Sequence, residues 1–254
     1  MAKQFSGRVA LVTGGDSGIG KATSLAFARE GATVVIANRH ADTGQRVVDE
    51  IKGIGGEALA VETDVSKPEQ TEALVNKIVE TYGGLDFAFN NAGIEGVPAP
   101  TAEYPVNMWN NVISINLSGV FYCLKYEIAQ MVKQKKGVVI NNASILGKVG
   151  FATASAYVAA KHGVLGLTET AAIEYATKGI RVNAVCPGFI ATPMLERGGI
   201  FKDASTKQYI ENLHPAKRLG TTDEIANAVI WLCSDGASFV TGHSLLVDGG
   251  YTAQ

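Results

Sequence analysis

Short β-rich runs, most of them continuously apolar, alternate along the chain with longer stretches of helical pattern. The β-rich runs lie at residues 9–12, 33–37, 58–61, 85–89, 138–140, 180–185 and 244–247. A strand that is buried on both faces has such a continuous run, as expected in a parallel sheet. The helical stretches between them include residues 21–30, 68–82 and 154–177. The alternation predicts an α/β fold: a doubly wound parallel sheet of about seven strands, with right-handed crossovers and helices on both faces.

The length of the chain fits one domain of this kind. The sequence has 254 residues, 46% of them apolar, so a sizeable core is possible. No linker, repeat or low-complexity segment divides it, and residues 1–254 are predicted to form a single domain. One long irregular stretch runs over residues 187–219. Because a loop of that length in a compact domain is usually functional, we interpret it as a substrate lid.

Composition excludes several classes of partner. Charged residues make up 18% of the chain and the formal net charge is −2, which does not fit a basic nucleic-acid footprint. No apolar run approaches the roughly 20 residues that span a bilayer. Residues 1–7 lack the apolar segment of a signal peptide. Cys123, Cys186 and Cys233 are far apart and never form a C-x-x-C pair. These features predict a cytoplasmic protein of a reducing compartment, without nucleic-acid or membrane partners.

A glycine-rich turn follows the first predicted strand and leads into a helix. Residues 13–20 read Thr-Gly-Gly-Asp-Ser-Gly-Ile-Gly, with the spacing G-x-x-x-G-x-G. Glycines let backbone N–H groups approach a pyrophosphate, and the start of a helix favours its negative charge. The turn therefore predicts the dinucleotide site of a Rossmann-type sheet.

The end of the second strand bears on which dinucleotide binds. An acidic residue there accepts from the ribose 2′-OH and selects NAD, whereas an arginine accommodates a 2′-phosphate. This chain has Asn38 and Arg39 at that point and no carboxylate. Because a guanidinium forms charge-assisted hydrogen bonds to phosphate, we predict that Asn38 and Arg39 contact NADP(H).

Tyr157 and Lys161 lie four residues apart within a helical stretch. Residues at this spacing share one helical face. A nearby ammonium favours the phenolate, so Lys161 is expected to lower a pKa that is about 10 when unperturbed. Ser144 follows the apolar run that begins at residue 138, where a strand end could present its hydroxyl to the same point. The three side chains predict an acid–base site.

These motifs occur together in an order and spacing that resemble those of the short-chain dehydrogenase/reductase family. The matching segments are residues 13–20, 64–65, 90–93, Asn116, Ser144, Tyr157 with Lys161, and residues 187–188 with Thr192. They cover nearly the whole chain. The resemblance implies an enzyme that transfers hydride between a nicotinamide cofactor and a carbonyl or secondary alcohol. It also implies a homotetramer.

The resemblance assigns roles to four catalytic positions. Tyr157 would be the general acid and base, and Lys161 would lower its pKa and hold the nicotinamide ribose. Ser144 would bond the substrate oxygen. Asn116 would anchor a water of the proton relay.

The remaining family positions would surround the nucleotide. From the phosphates to the nicotinamide amide, they are Gly14, Ser17, Ile19, Gly20, Asp64, Val65, Asn91, Ala92, Gly93, Pro187, Gly188, Ile190 and Thr192. One feature of NADP-preferring members is absent, because Ser17 replaces the basic residue that some of them place before Gly18.

The substrate end is predicted from apolar side chains expected to face the site. They are Ile145, Phe151, Phe189, Met194 and Leu195, and they suggest a pocket for a neutral hydrophobic ketone or its alcohol. Residues 39–44 and 247–254 resemble NADP-dependent secondary alcohol dehydrogenases of the family. In some of those a terminal carboxylate takes part in binding a structural Mg²⁺ between subunits, so Gln254 is a candidate for such a site.

Two alternatives remain open at this point. The first is a 3-oxoacyl-[acyl-carrier-protein] reductase, which docks an acidic carrier on basic residues; Lys135 and Lys178 occupy the matching positions here. The second is a non-catalytic nucleotide-sensing scaffold, which the intact set of four catalytic residues disfavours.

Overall fold

Seven parallel strands form one sheet with the order β3-β2-β1-β4-β5-β6-β7. The computed structural model describes residues 3–197 and 203–254. The strands are β1 Val9–Thr13, β2 Thr33–Asn38, β3 Ala58–Glu62, β4 Phe87–Asn90, β5 Gly137–Asn142, β6 Ile180–Pro187 and β7 Ser244–Val247. Every neighbouring pair is parallel. The predicted α/β class, with about seven strands, is confirmed.

Helices cover both faces of the sheet. They are α1 Gly18–Arg29, α2 Ala41–Gly53, α3 Pro68–Tyr82, α4 Val106–Ile113, α5 Gly119–Gln134, α6 Ser155–Tyr175, α7 Pro193–Arg197, α8 Ala204–Asn212 and α9 Thr222–Cys233. The core on one face contains residues of α1, α2 and α9, and the core on the other face contains residues of α3, α5 and α6. None of these helices, within the described ranges, is long and apolar enough to cross a membrane.

The continuous apolar runs arise because alternate side chains of each strand enter opposite cores. In β1, Ala10 and Val12 pack with α1 and α9, whereas Val9 and Leu11 pack with α3 and α5. Side chains of a strand alternate between faces with a period of two, so a strand covered on both sides is mostly apolar at successive positions.

The predicted irregular stretch over residues 187–219 is wrong in one respect. It contains the helices α7 and α8. The start of α8 carries a signal that sequence analysis missed, since the Asp203 side chain accepts from Thr206 N–H at 2.7 Å as an N-cap. Residues 198–202 of the predicted lid lie outside the described residues.

The strand order reverses beside β1, which joins β2 on one side and β4 on the other. In open α/β sheets a crevice forms at this point, beyond the carboxyl ends of the strands. Thr13 at the end of β1 accepts from the N–H groups of Asn91 and Ala92 at 2.9 and 3.1 Å. The amide of Asn91 donates to the Thr13 carbonyl at 3.0 Å. These bonds hold the two walls of the crevice at a set separation.

Asp86 ties three strands together at the opposite edge of the sheet. It immediately precedes β4 and accepts from Arg8 Nη1 at 2.8 Å, Lys136 Nζ at 2.9 Å and Val9 N–H at 3.1 Å. Although burial opposes it, these bonds lower the pKa of Asp86 below its ordinary value. The ionised carboxylate is therefore stabilised in the folded state.

Replacing Asp86 by asparagine should lower the free energy of unfolding at pH 7 by about 1–3 kcal/mol, because Val9 N–H and the half-exposed cations of Arg8 and Lys136 lose a buried carboxylate. Because its folded pKa is depressed, Asp86 stabilises the fold fully above its unfolded pKa of about 3.9 and loses that effect as pH falls further. The free energy of unfolding of Asp86→Asn should therefore fall less between pH 7 and pH 3 than that of the unchanged protein. Urea unfolding at pH 7 and pH 3 measures both effects.

The matched control is Glu50→Gln, which removes the exposed ion pair with Lys21. This substitution should lower the free energy of unfolding by less than about 1 kcal/mol, because an exposed ion pair contributes no more than that. An Asp86→Asn protein no less stable than this control would contradict the assignment.

Candidate active site

A cavity of about 470 Å³ opens at the carboxyl edge of the sheet. It is lined by the predicted catalytic, cofactor and substrate residues with two exceptions, Gly20 and Asn116. Residues from the ends of β1, β2, β4, β5 and β6 meet there with the start of α6. The parallel sheet therefore brings together side chains that are far apart in the sequence.

Gly20 serves packing, and its contact with a cofactor stays a prediction. It is buried in α1, where a Cβ atom would overlap the Gly14 carbonyl and approach Asn91 Nδ2 to 2.6 Å. Gly14 itself lines the cavity and has a positive φ of 60°. A glycine is required there because L side chains rarely adopt that conformation.

The start of α1 fits a pyrophosphate. Its N-cap, Ser17, has an extended backbone and makes no capping hydrogen bond with its side chain. The first turn of the helix contains no acidic residue. The first N–H groups of a helix have no partner within it, and they attract an anion. Ser17, Gly18 and Ile19 line the cavity at this point.

At the adenosine end the structure separates the two residues predicted to read the ribose. The Asn38 side chain is buried and folds back, donating to the His40 carbonyl and to Thr43 Oγ1. Arg39 is exposed and lines the cavity. Within residues 3–197 and 203–254, its guanidinium makes no ion pair with an acidic side chain. Arg39 is thus the side chain available to a phosphate.

Acidic groups also lie at this end. Asp64 accepts from Ser66 N–H at 2.9 Å and from Ser66 Oγ at 2.7 Å. Burial opposes the shift, but these bonds and the charge of Arg39 lower the pKa of Asp64. Asp16, which sequence analysis did not select, lines the cavity and accepts from Thr43 Oγ1 at 2.7 Å.

The catalytic side chains converge where β5 ends and α6 begins. Ser144 follows β5, and its Oγ accepts from Leu146 N–H at 3.1 Å. Lys161 is only 4% exposed, and its Nζ donates to the Asn142 carbonyl at 2.6 Å. The same Nζ lies 5.4 Å from the centroid of the Tyr157 ring. The predicted grouping of Ser144, Tyr157 and Lys161 is thus present.

The pKa of Tyr157 differs from the expectation. Burial raises it to about 12, with Glu95 adding to the rise and the Ser144 hydroxyl opposing it. Burial also lowers the pKa of Lys161 to about 8. Desolvation of the phenolate is therefore the largest influence on the pKa of Tyr157. The phenol is protonated at neutral pH, which suits a proton donor.

Asn116 lies behind the wall of the cavity. It sits in a π-helical turn, Ser114–Ser118, between α4 and α5, and is fully buried. Its Oδ1 accepts from Ile94 N–H at 2.8 Å, and its Nδ2 donates to the Ile94 carbonyl at 2.7 Å. The side chain is therefore engaged in holding the wall. π-helical turns are frequent at functional sites, and the relay water at Asn116 stays a prediction.

The predicted apolar residues form the substrate end, although some also close the core. The rings of Phe151 and Phe189 meet edge to face, with centroids 6.0 Å apart. Ile145 is buried, and Leu195 packs in a small cluster with Ile210 and Leu219.

Two charged residues at this end were not predicted, Glu95 and Arg197. Burial raises the pKa of Glu95, and the charge of Arg197 opposes the rise. Glu95 comes shortly after the end of β4, at the active edge of the sheet, and that position could have revealed it.

The described residues show no group of three or more His, Cys, Asp or Glu that could hold a metal ion. At the C-terminus the Gln254 amide donates to the Leu213 carbonyl at 2.7 Å. The Mg²⁺ site stays a prediction.

Comparisons with known proteins give the family. A family model described as Enoyl-(Acyl carrier protein) reductase matches residues 14–252. Cyclohexanol dehydrogenase of Acinetobacter sp. (strain SE19) is 46% identical over 254 residues, which cover 100% of this chain and 98% of that protein. Levodione reductase of Leifsonia aquatica is 41% identical, with 98% of this chain and 96% of that protein covered.

Solved structures of dehydrogenases and reductases are similar to this chain over nearly its whole length. The crystal structure of levodione reductase superposes with a TM-score of 0.95 at 40% identity, covering 98% of this chain and 99% of that one. The structure of NAD⁺-bound xylitol dehydrogenase gives a TM-score of 0.94 at 33% identity, covering 98% of this chain and 100% of that one.

The chain belongs to the short-chain dehydrogenase/reductase family. It is an oxidoreductase that acts on CH–OH and C=O groups, and membership implies a nicotinamide cofactor. The non-catalytic scaffold is therefore set aside.

The Tyr157→Phe substitution should lower kcat by at least about 100-fold, since general acid–base catalysis typically contributes 10²–10⁴-fold. The ring keeps its packing, so cofactor affinity should stay within about threefold. Steady-state kinetics and a cofactor titration measure both quantities. Tyr175→Phe, the same change at the end of the same helix and outside the cavity, is the control. Retention of more than about a tenth of kcat would remove Tyr157 from the acid role.

Proposed function

We propose that this protein is an NADP(H)-dependent oxidoreductase that reduces a neutral, hydrophobic cyclic ketone and oxidises the matching secondary alcohol. The observation that carries the proposal is the shared cavity: Ser144, Tyr157 and Lys161 border the same space as the glycine-rich turn. Three relatives add support for a six-membered ring. They are named for cyclohexanol, 2,5-dichloro-2,5-cyclohexadiene-1,4-diol and cis-4-hydroxycyclohexanecarboxylate.

The chemistry follows from where charge develops. A bound nicotinamide supplies or accepts the hydride at the substrate carbon. In the reductive direction negative charge grows on the substrate oxygen, and the hydroxyls of Ser144 and Tyr157 can donate to it. A preorganised donor in a site that excludes water contributes about 3–4 kcal/mol. Tyr157 then gives its proton to that oxygen, and the nearby Lys161 ammonium stabilises the phenolate that remains.

The preference for NADP(H) rests on Arg39. Its side chain is exposed beside the cavity, and β2 ends at Asn38 without a carboxylate. Asp16 and Asp64 lie on the same stretch of cavity wall. A 2′-phosphate would need the guanidinium to offset their charge, so the choice between the two cofactors depends on this one side chain.

Arg39→Ala should weaken the binding of NADPH at least tenfold and that of NADH less than about threefold, because only NADPH carries the 2′-phosphate. A hydrogen bond to a charged group is worth about 1.5–3 kcal/mol. Asn38→Asp should shift the preference toward NADH. Dissociation constants from cofactor fluorescence measure both. Arg46→Ala, which removes an exposed arginine paired with Asp42, is the control. Equal losses for both cofactors in Arg39→Ala would show that the arginine does not read the phosphate.

The carrier-protein reductase remains the second candidate, because the matching family model is described by an acyl-carrier substrate. The structure does not favour the lysines chosen for carrier docking. Lys135 and Lys178 lie just before β5 and β6, at the amino edge of the sheet, whereas the cavity lies at the carboxyl edge. Strands of this length span about 20 Å or more. Within one chain the two lysines are therefore far from the site.

A substrate panel tests the proposed function. With NADPH, cyclohexanone should be reduced with a kcat/KM at least about tenfold above that of an acetoacetyl thioester, because the apolar pocket favours a compact ring. Reversing charge at Lys135 and Lys178 together should leave both rates unchanged. A salt-sensitive loss confined to an acidic carrier substrate would instead favour the second candidate. The absence of activity on every ketone and alcohol, with either cofactor, would refute the proposal.

We also propose that the chain forms a homotetramer. Large apolar side chains are exposed on two separate surfaces: Phe121 and Ile173 on α5 and α6, and Trp231, Phe239 and Leu246 around α9 and β7. Two surfaces of this kind suit an assembly with more than one two-fold axis. Light scattering at micromolar concentration should give about four times the chain mass of 26.6 kDa. A stable monomer would contradict this.

A further inference from the structure

The backbone after β6 is held mainly by other backbone groups. Gly188 N–H donates to the Val247 carbonyl at 3.1 Å, and Ala191 N–H donates to the Gly220 carbonyl at 2.9 Å. Gly220 N–H in turn donates to the Phe189 carbonyl at 2.9 Å. The N–H of Phe189 differs from these. It donates to a side chain, the Nε2 atom of His214, at 3.3 Å.

His214 is held in one protonation state by its two partners. It lies two residues beyond α8 and is 2% exposed. Its Nδ1 atom is 3.0 Å from the Ile210 carbonyl, which can only accept, so Nδ1 carries the proton. Nε2 must then keep its lone pair to accept from Phe189 N–H. The neutral ring, in one tautomer, satisfies both bonds.

The ring also packs directly against the segment that it bonds. Its centroid lies 5.7 Å from that of Phe189 in an edge-to-face contact, and 5.5 Å from that of Tyr251. A Cβ atom on Gly188 would come within 3.0 Å of His214 Nε2. His214 therefore connects three parts of the molecule: the end of α8, the segment after β6 and the C-terminal residues.

We propose that His214 is a positioning residue for the cofactor. Its neutral ring fixes Phe189 N–H, and with it the segment from Pro187 to Thr192. Loss of that acceptor weakens binding of the nicotinamide end. This inference rests on the proposed function, in which that segment holds the nicotinamide amide.

Polar and charged groups surround the ring. Asp248, among the C-terminal residues, accepts from Gly250 N–H at 3.0 Å and from Thr252 Oγ1 at 2.6 Å. Tyr251 adds a phenol on the same side. A second cavity adjoins the ring, lined by Arg218 and Glu224, whose side chains pair with each other at 2.6 Å.

On the side of α8, backbone bonds link His214 N–H to the Glu211 carbonyl and Lys217 N–H to the His214 carbonyl. The bond from Phe189 N–H depends on the lone pair of Nε2. A side chain that lacks an acceptor at this position leaves Phe189 N–H without its partner.

Two substitutions distinguish the two hydrogen bonds of the His214 ring, one with Phe189 N–H and one with the Ile210 carbonyl. In His214→Gln, Oε1 can reach the position of Nε2 and accept from Phe189 N–H, and the side chain does not titrate. In His214→Asn, Nδ2 can replace Nδ1–H toward Ile210, but Phe189 N–H is left without an acceptor.

Two probes distinguish binding of the nicotinamide end from binding of the adenosine end. NADPH spans the whole site, whereas 2′,5′-ADP lacks the nicotinamide.

Dissociation constants of both probes at pH 8 test the proposal. His214→Asn should weaken NADPH binding about tenfold, the effect of an unsatisfied buried donor, and 2′,5′-ADP binding less than twofold. His214→Gln should stay within about threefold of the unchanged protein for both probes.

Three results would overturn the inference. One is NADPH binding by His214→Asn that equals that of the unchanged protein. A second is an equal loss of both probes in both variants with a lower melting temperature, which would make the ring structural only. A third is a loss of NADPH affinity in His214→Gln as large as that in His214→Asn. Failure of the unchanged protein to bind either NADPH or NADH would refute the proposed function itself, and this inference with it.

Discussion

The buried ammonium of Lys161 is the interaction on which the arrangement of the site depends. A charge removed from water is costly unless it is hydrogen-bonded, and burial lowers the pKa of this group to about 8. The Asn142 carbonyl, at the end of β5, accepts from it. The Asn142 amide donates to Asn91 Oδ1 at 2.9 Å, and Asn91 bonds the end of β1 through Thr13. The position of the ammonium is thus set by the ends of three adjacent strands.

A polar network behind the site fixes the helix that carries Tyr157 and Lys161. Asn90 in β4 donates to Glu127 at 3.0 Å and to Asn141 at 3.1 Å. Asn141 in β5 donates to Thr168 of α6 at 2.9 Å. Burial raises the pKa of Glu127 to about 7. These three hydrogen bonds join β4, β5, α5 and α6, while Asn90 Oδ1 and Glu127 Oε1 have no partner among the described residues. We infer that this network sets the position of α6 relative to β5, and with it the reach of Lys161.

The sheet could be predicted because its strands are buried on both faces, which leaves a continuous apolar run in the sequence. Gly14, Ser144, Tyr157 and Lys161 could be selected because spacing and position at strand ends or on one helical face carry direct information. Gly20 could not be distinguished from Gly14, because only the packing of α1 against the turn shows which glycine meets the cavity and which meets a carbonyl.

Other features depend on distances that no pattern contains. The pKa of Tyr157 reflects a balance between desolvation and nearby charge, and that balance is set by burial in three dimensions. Asn116 was selected by family resemblance, but its bonds to Ile94 are visible only in the fold. His214 belongs to no local motif, and its importance appears only when α8 is packed on the segment after β6.

The central claim is that the cavity supports direct hydride transfer between the nicotinamide and a ring carbon. Isotope tracing tests it most directly. The enzyme would be given cyclohexanone with NADPH, and in parallel with NADH, each carrying deuterium at the transferable position of C4. The account predicts cyclohexanol with deuterium on the carbon that bears the hydroxyl, and none from deuterated water when unlabelled cofactor is used. A product that takes this hydrogen from water would contradict the account.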